Sequence, residues 1–264
     1  MEINFRARTV KFVALTFCIS WLCWGTIIIA NQFGLLPYGT FLSMVIFIIG
    51  GNGAPISSYI LLRKWGEVDG FKSFLKRNFA YKTSISHYGI ILFYLAIHFI
   101  IPILLASTNR KMPIYYGILL IPMNIIGGGL EEIGWRGILQ PYLETFNSFF
   151  KSTIIVAIIW TIWHLPLWFI IGTYQSTISY LMFGVAVLGM SFTLAAIRKI
   201  TNNIFMCILL HSCINSFAAV FMLQQNFSTI VTTIVEIILV LFTIFALSKI
   251  RKQKNNFHIS EKSV

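Results

Sequence analysis

The feature that most constrains this chain is a succession of apolar runs separated by short polar stretches. A helix rises about 1.5 Å per residue, so roughly 20 apolar residues cross the hydrocarbon core of a bilayer. Eight runs approach that length: 12–30, 41–62, 88–106, 114–139, 152–172, 177–197, 203–223 and 228–247. Hydrophobic residues make up 57% of the sequence and charged residues 11%, against about 25% charged in a soluble domain. Lipid, not water, tolerates that much apolar surface. The expected fold is all-α: a polytopic membrane protein of about eight transmembrane helices, forming a single membrane domain over 1–264.

The net charge of +12 raises the question of a nucleic-acid partner. The Lys and Arg residues lie between apolar runs and do not form a groove-lining patch, so no nucleic-acid role is expected. Their placement fits the positive-inside bias of membrane proteins instead. With the N-terminus inside, 17 of the 20 basic residues fall on the inner side, Arg6, Lys64, Arg77, Lys151, Arg198 and Lys262 among them. The outer side holds only Arg110 and Lys111, and Arg136 lies within a run. Both termini are therefore expected in the cytoplasm.

Arg6, Arg8 and Lys11 precede the first run as in a signal peptide, but the run continues through Trp21 and Trp24 without a small-residue cleavage site. An uncleaved first helix is expected. The basic, aromatic stretch 63–87 is amphipathic and suits the membrane surface. Cys18, Cys23, Cys207 and Cys213 all fall within apolar runs and form no C-x-x-C pair, so they read as packing residues. No soluble domain or internal repeat is seen.

Ionisable groups inside a membrane are expensive, which makes each a candidate for function. The richest stretch is Gly127-Gly128-Gly129-Leu130-Glu131-Glu132-Ile133-Gly134-Trp135-Arg136. On a helix Glu132 and Arg136 are i and i+4 and can pair. Glu131 points about 100° away and lacks that partner. One carboxylate is thus structural and the other available for chemistry. The glycines would let a neighbouring helix or a substrate backbone approach closely.

Two later runs carry matching groups. Trp160 and His164 are one turn apart, with Pro166 expected to kink the chain just beyond. His211 and Asn215 share a helix face. Counted from the inner end of each run, Glu131, His164 and His211 lie at depths of roughly 12, 18 and 12 Å. Acid, imidazole and amide groups from three helices thus reach a similar level. By contrast, His98 reads as a helix-to-helix hydrogen bonder and Glu236 as an isolated polar contact.

A carboxylate in a low-dielectric pocket is a better base near neutral pH. Glu131 can then deprotonate a water attacking a peptide carbonyl, with His164 holding that water and His211 and Asn215 donating to the oxyanion. A metal variant is equally writable: Glu131, His164 and His211 would hold an ion such as zinc, with water in the fourth position. No H-E-x-x-H motif compels it.

Glu131-Glu132-x-x-x-Arg136, Trp160-x-x-x-His164 and His211-x-x-x-Asn215, in that order, resemble the CPBP family of CAAX-protease and bacteriocin-processing (Abi) intramembrane endopeptidases. By motif the resemblance covers about 114–220, expected to be the catalytic core. It implies peptide-bond hydrolysis in the membrane, with Glu131 activating water, His164 assisting, His211 and Asn215 on the oxyanion side, and Glu132, Arg136 and Trp160 shaping the site. The family more often has Phe where this chain has Trp160. Its members have been described both as metalloproteases and as metal-independent glutamate enzymes, and the residues leave that choice open.

The expected partners are membrane lipid and a peptide or membrane-protein substrate, in a bacterial plasma membrane. The family's eukaryotic branch cleaves after a prenylated cysteine, a substrate of which the sequence bears no sign. The alternative function is a non-enzymatic immunity or signalling scaffold that retains the motif for packing. A proton-coupled carrier ranks last, since paired repeats are absent.

Overall fold

The computed structural model describes residues 4–110, 112–224 and 226–261, so Lys111 and Lys262 of the charge partition lie outside the described residues. Among the described residues the regular structure is helical, without strands. Helix α1 (Phe5–Gln32) leads to α2 (Phe41–Gly51) and α3 (Gly53–Lys64), then to the short α4 (Phe71–Asn78) and α5 (Ile85–Leu104). Beyond an interrupted stretch at 116–144 come α6 (Phe149–Trp163), α7 (Tyr180–Thr201), α8 (Ile204–Phe221) and α9 (Phe227–Glu261).

Among the described residues, six segments are long and apolar enough to cross a membrane unbroken. Helices α2 and α3 make a seventh if their 53° bend is counted as one broken span. The run at 114–139, expected as a helix, is instead a chain of short pieces. These are Tyr116–Leu119, Ile121–Ile126, a 3₁₀ turn at Gly129–Glu131, Glu132–Gly134, a π-helical turn at Trp135–Leu139, and Gln140–Glu144. Its sequence explains the breaks. Pro122 and Pro141 cannot donate to the preceding turn, and three successive glycines weaken helix between them. Irregular backbone at this depth survives only when protein covers it. Here Asn52, at the α2–α3 bend, donates its side-chain amide to the Ile126 carbonyl (3.1 Å).

Helices α7 and α8 form the centre of the bundle: 56% and 61% of their apolar windows are buried, against 22% for α5. Asn202 adopts a left-handed conformation (φ 50°), which Asn tolerates better than most residues. Asn203 then caps α8 by accepting from the Phe205 amide (2.9 Å), so the two helices turn back on each other within two residues.

One end of the bundle collects the basic residues. Arg8 and Arg77 both pair with Glu67, which also accepts from the Tyr142 hydroxyl (3.3 Å), and Lys199 pairs with Glu144 (3.1 Å). The start of α1, α4, the end of the interrupted stretch and the end of α7 therefore share this face, the alternation on which the charge bias depends. Helix α4 buries Phe74 and exposes Phe71, Lys72 and Lys76, as a helix lying in the interface should. Pro166 does not kink a continuing helix. Helix α6 ends at Trp163, and a 3₁₀ turn, Leu165–Phe169, replaces it.

Candidate active site

The glycine run brings the interrupted stretch against α8. A Cβ placed on Gly128 would lie 2.5 Å from Asn215 Nδ2 and 3.0 Å from His211 Nε2. On Gly129 it would collide with the Ser212 hydroxyl and sit 2.9 Å from the Ile208 carbonyl oxygen. Glycine is required here for close approach, not for an unusual dihedral angle. The two carboxylates that follow are thereby set at the face of α8 that carries His211 and Asn215.

Glu132 is fully buried; its Oε1 takes hydrogen bonds from Arg136 Nη1 (3.4 Å) and His211 Nδ1 (2.9 Å), and its Oε2 is held by ion pairing alone. Arg136 Nη1 lies 3.1 Å from that Oε2. A carboxylate can only accept, so His211 donates through Nδ1 and its Nε2 turns towards Gly128 and Asn215. The pairing of Glu132 with Arg136 read from the spacing is present. The bond to His211 adds a tie from the motif stretch to α8.

Glu131 faces elsewhere, as its angular offset requires. Its Oε2 accepts from the indole nitrogens of Trp160 (2.7 Å) and Trp135 (3.3 Å). Its Oε1 has no hydrogen-bond partner among the described residues. The two indoles orient the carboxyl without engaging its second oxygen.

Trp160 is the hub of the arrangement. Its ring lies under the Arg136 guanidinium (4.8 Å) and edge-on to the His211 ring (5.4 Å between centroids). Its carbonyl accepts from His164 Nδ1 (2.9 Å), which fixes the imidazole and leaves Nε2 free of protein partners. His164 ends α6 and stands within an aromatic box: edge-on to Trp163 (4.6 Å) and Phe183 (5.0 Å), and stacked with Trp24 (6.5 Å).

All seven residues singled out in the sequence thus belong to one continuous cluster. Glu131, Trp160, His164, Arg136, Glu132 and His211 are linked by contacts, and Asn215 joins through Gly128. Glu131 makes no direct hydrogen bond to either histidine. Among the described residues, no three His, Cys, Asp or Glu side chains form a group that could hold a metal ion, Glu131, His164 and His211 included. No step below is routed through a metal.

Three participants escaped the sequence. Trp135 had a usable signal, since it lies one turn after Glu131 on the same face. Trp24 and Trp163 had none: they come from apolar runs where tryptophan is ordinary packing, and only the tertiary arrangement stacks them on His164. Outside the site, the two residues read separately as His98 and Glu236 are in fact partners, 2.7 Å apart between α5 and α9.

Comparison with known proteins bears on the same region. Residues 113–217 match the family described as Type II CAAX prenyl endopeptidase Rce1-like. A 51-residue segment is 39% identical to part of CAAX prenyl protease 2 of Methanococcus maripaludis. That segment amounts to 19% of this chain and 19% of the relative, so the chain spans only a minor part of the curated protein it matches.

Proposed function

We propose that this chain, whose residues 113–217 match the Rce1-like family of type II CAAX prenyl endopeptidases, is a CPBP-type intramembrane endopeptidase that hydrolyses a peptide bond in a membrane-associated protein or peptide, using a water activated by Glu131. One observation carries the proposal. Glu131, His164 and His211 each have one polar atom fixed by the protein and a second with no protein partner, and Asn215 adjoins them with its amide uncommitted.

In the proposed reaction a water lies between Glu131 Oε1 and His164 Nε2, whose lone pair accepts from it while Nδ1–H stays on the Trp160 carbonyl. Glu131 takes one proton from the water as its oxygen bonds to the scissile carbonyl carbon, and the carbonyl π electrons move onto oxygen. Asn215 donates its amide to that oxyanion. His211, held on Glu132 through Nδ1–H, borders the same oxyanion space beside Gly128. As the tetrahedral intermediate collapses, the carbon–nitrogen bond breaks and Glu131 returns its proton to the departing amine. Arg136 and Glu132 set the frame, and a desolvated pocket strengthens each of these interactions.

The substrate class follows from the same family assignment: a chain ending in a prenylated CAAX sequence, cut after the modified cysteine on the face that the charge bias assigns to the cytoplasm. The test uses the purified full-length chain with a prenylated CAAX peptide, the same peptide without its lipid, and mass analysis of the products. Wild-type protein should release the C-terminal tripeptide, and Glu131→Gln should not. An active Glu131→Gln protein would leave the cluster a packing role, as in the scaffold alternative. Cleavage of neither peptide, combined with membrane-protein fragments that differ between cells carrying the two forms, would redirect the substrate while keeping the chemistry. Chelation is expected to change the rate by less than about twofold, and loss of activity restored by zinc would replace the glutamate route.

A further inference from the structure

A cavity lies beside the motif stretch, on the basic face of the bundle. It measures about 360 Å³ and is walled by the ends of α3, α4 and α7, the start of α8, and Ile133 and Gly137 of the motif stretch. Two guanidinium groups line it, Arg77 and Arg198, and no carboxylate does. Arg77 is near enough to act on Arg198 electrostatically, opposed by Glu144 from outside the lining. Arg77 reaches Glu67 only at 3.4 Å, and Glu67 is shared with Arg8. Arg198 places one nitrogen against the Asn202 side chain, while its Nε is buried without a partner.

Like charges facing each other across a cavity, one with an unsatisfied buried N–H, call for an anion. The start of α8 borders the same space, and a helix N-terminus adds positive potential. Guanidinium groups suit phosphate oxygens in particular, because their N–H fork matches two oxygens at once. The rest of the lining indicates which phosphate. Leu62, Ile133 and Ile204 supply an apolar wall beside the arginines. Helix α4 forms the rim, with Phe71 60% exposed next to Lys72 and Lys76, so the cavity lies at headgroup level.

We propose that this cavity binds the phosphate of an anionic phospholipid headgroup, held by Arg77 and Arg198 against the base of the motif stretch. The site does not depend on proteolysis. Because Ile133 and Gly137 flank Glu132 and Arg136, an occupied cavity braces the segment that carries both carboxylates.

The experiment uses the full-length protein in a non-ionic detergent, titrated with short-chain phosphatidylglycerol, phosphatidylcholine of the same chain length, or inorganic phosphate. Thermal unfolding and retained lipid in native mass spectrometry are read in parallel. Phosphatidylglycerol should raise the unfolding midpoint and remain bound, with phosphatidylcholine and phosphate much weaker. Arg198→Gln and Arg77→Gln should each weaken binding about tenfold, as loss of one charge-assisted hydrogen bond implies. Lys151→Gln, which alters the same face outside the cavity, should bind as wild type does. If Arg198→Gln fails to fold, Arg77→Gln, whose side chain is 41% exposed, still decides the matter. Equal binding of the two lipids, or wild-type affinity in the arginine variants, would overturn the site. Phosphate matching phosphatidylglycerol would overturn its assignment to lipid.

Discussion

Two places in this bundle carry buried acid and imidazole, and they are built differently. Between α5 and α9, His98 Nδ1 meets Glu236 Oε1 at 2.7 Å, while the other oxygen of Glu236 is pressed against Gly189, where a Cβ would lie 2.5 Å away. Nothing larger than hydrogen fits beside it. Around Glu131 the same residue types are spread over the motif stretch, α6 and α8, and each keeps an atom that the protein does not use. A membrane-embedded charge is therefore not diagnostic by itself. Open polar atoms from several segments converging on one space are.

Substitutions can break that contrast. The largest effect is expected from Glu131→Gln, which preserves the acceptor for both indoles but removes the base. Cleavage should fall by about 10²- to 10⁴-fold, with the unfolding midpoint close to wild type. Gly128→Ala comes next. Its methyl would enter the space of Asn215 and His211, and a displacement of that size should lower kcat/KM by roughly 10²-fold, measured on the same peptide.

Smaller changes sharpen the comparison. Trp160→Phe keeps an aromatic ring beneath Arg136 and beside His211 but deletes the N–H on Glu131. A fall in kcat of about tenfold is expected, the equivalent of one hydrogen bond, and Trp160→Ala should be worse because ring packing is lost too. Glu236→Gln should leave the cleavage rate within about twofold while lowering stability by about 1 kcal/mol, the scale of an interhelical polar contact in a membrane. A large loss of activity in Glu236→Gln, with folding intact, would erase the distinction between the two centres.

Much of this organisation is visible in the chain before it folds, but unevenly. Apolar run length and the positions of Arg and Lys are enough for the helical membrane class, because both report directly on lipid and interface. Spacing within a run is enough to pair Glu132 with Arg136 and to put His211 beside Asn215. Run length says nothing about continuity, so the run 114–139 reads as one helix although Pro122 and the three glycines lie within it and Pro141 next to it. Contacts between distant segments were also invisible. His98 and Glu236 are 138 residues apart, and nothing in either run refers to the other. The role of Trp160 was only half legible: its aromatic bulk was expected, whereas the N–H donated to Glu131 needed the neighbouring segment in place.

The interruption at 116–144 also shapes how the rest of the chain can vary. A backbone that abandons regular hydrogen bonding at bilayer depth needs a sheath, and part of that sheath comes from α1 and from the bend between α2 and α3. Phe12 meets Trp135 edge-on, Ala54 closes on Gly134, and Asn52 holds the Ile126 carbonyl. These residues carry no chemistry, yet a bulky side chain at 54 or an apolar one at 52 would expose the motif to lipid. The N-terminal quarter thus acts as a casing, free to drift in sequence except at the few points where it seals the seam.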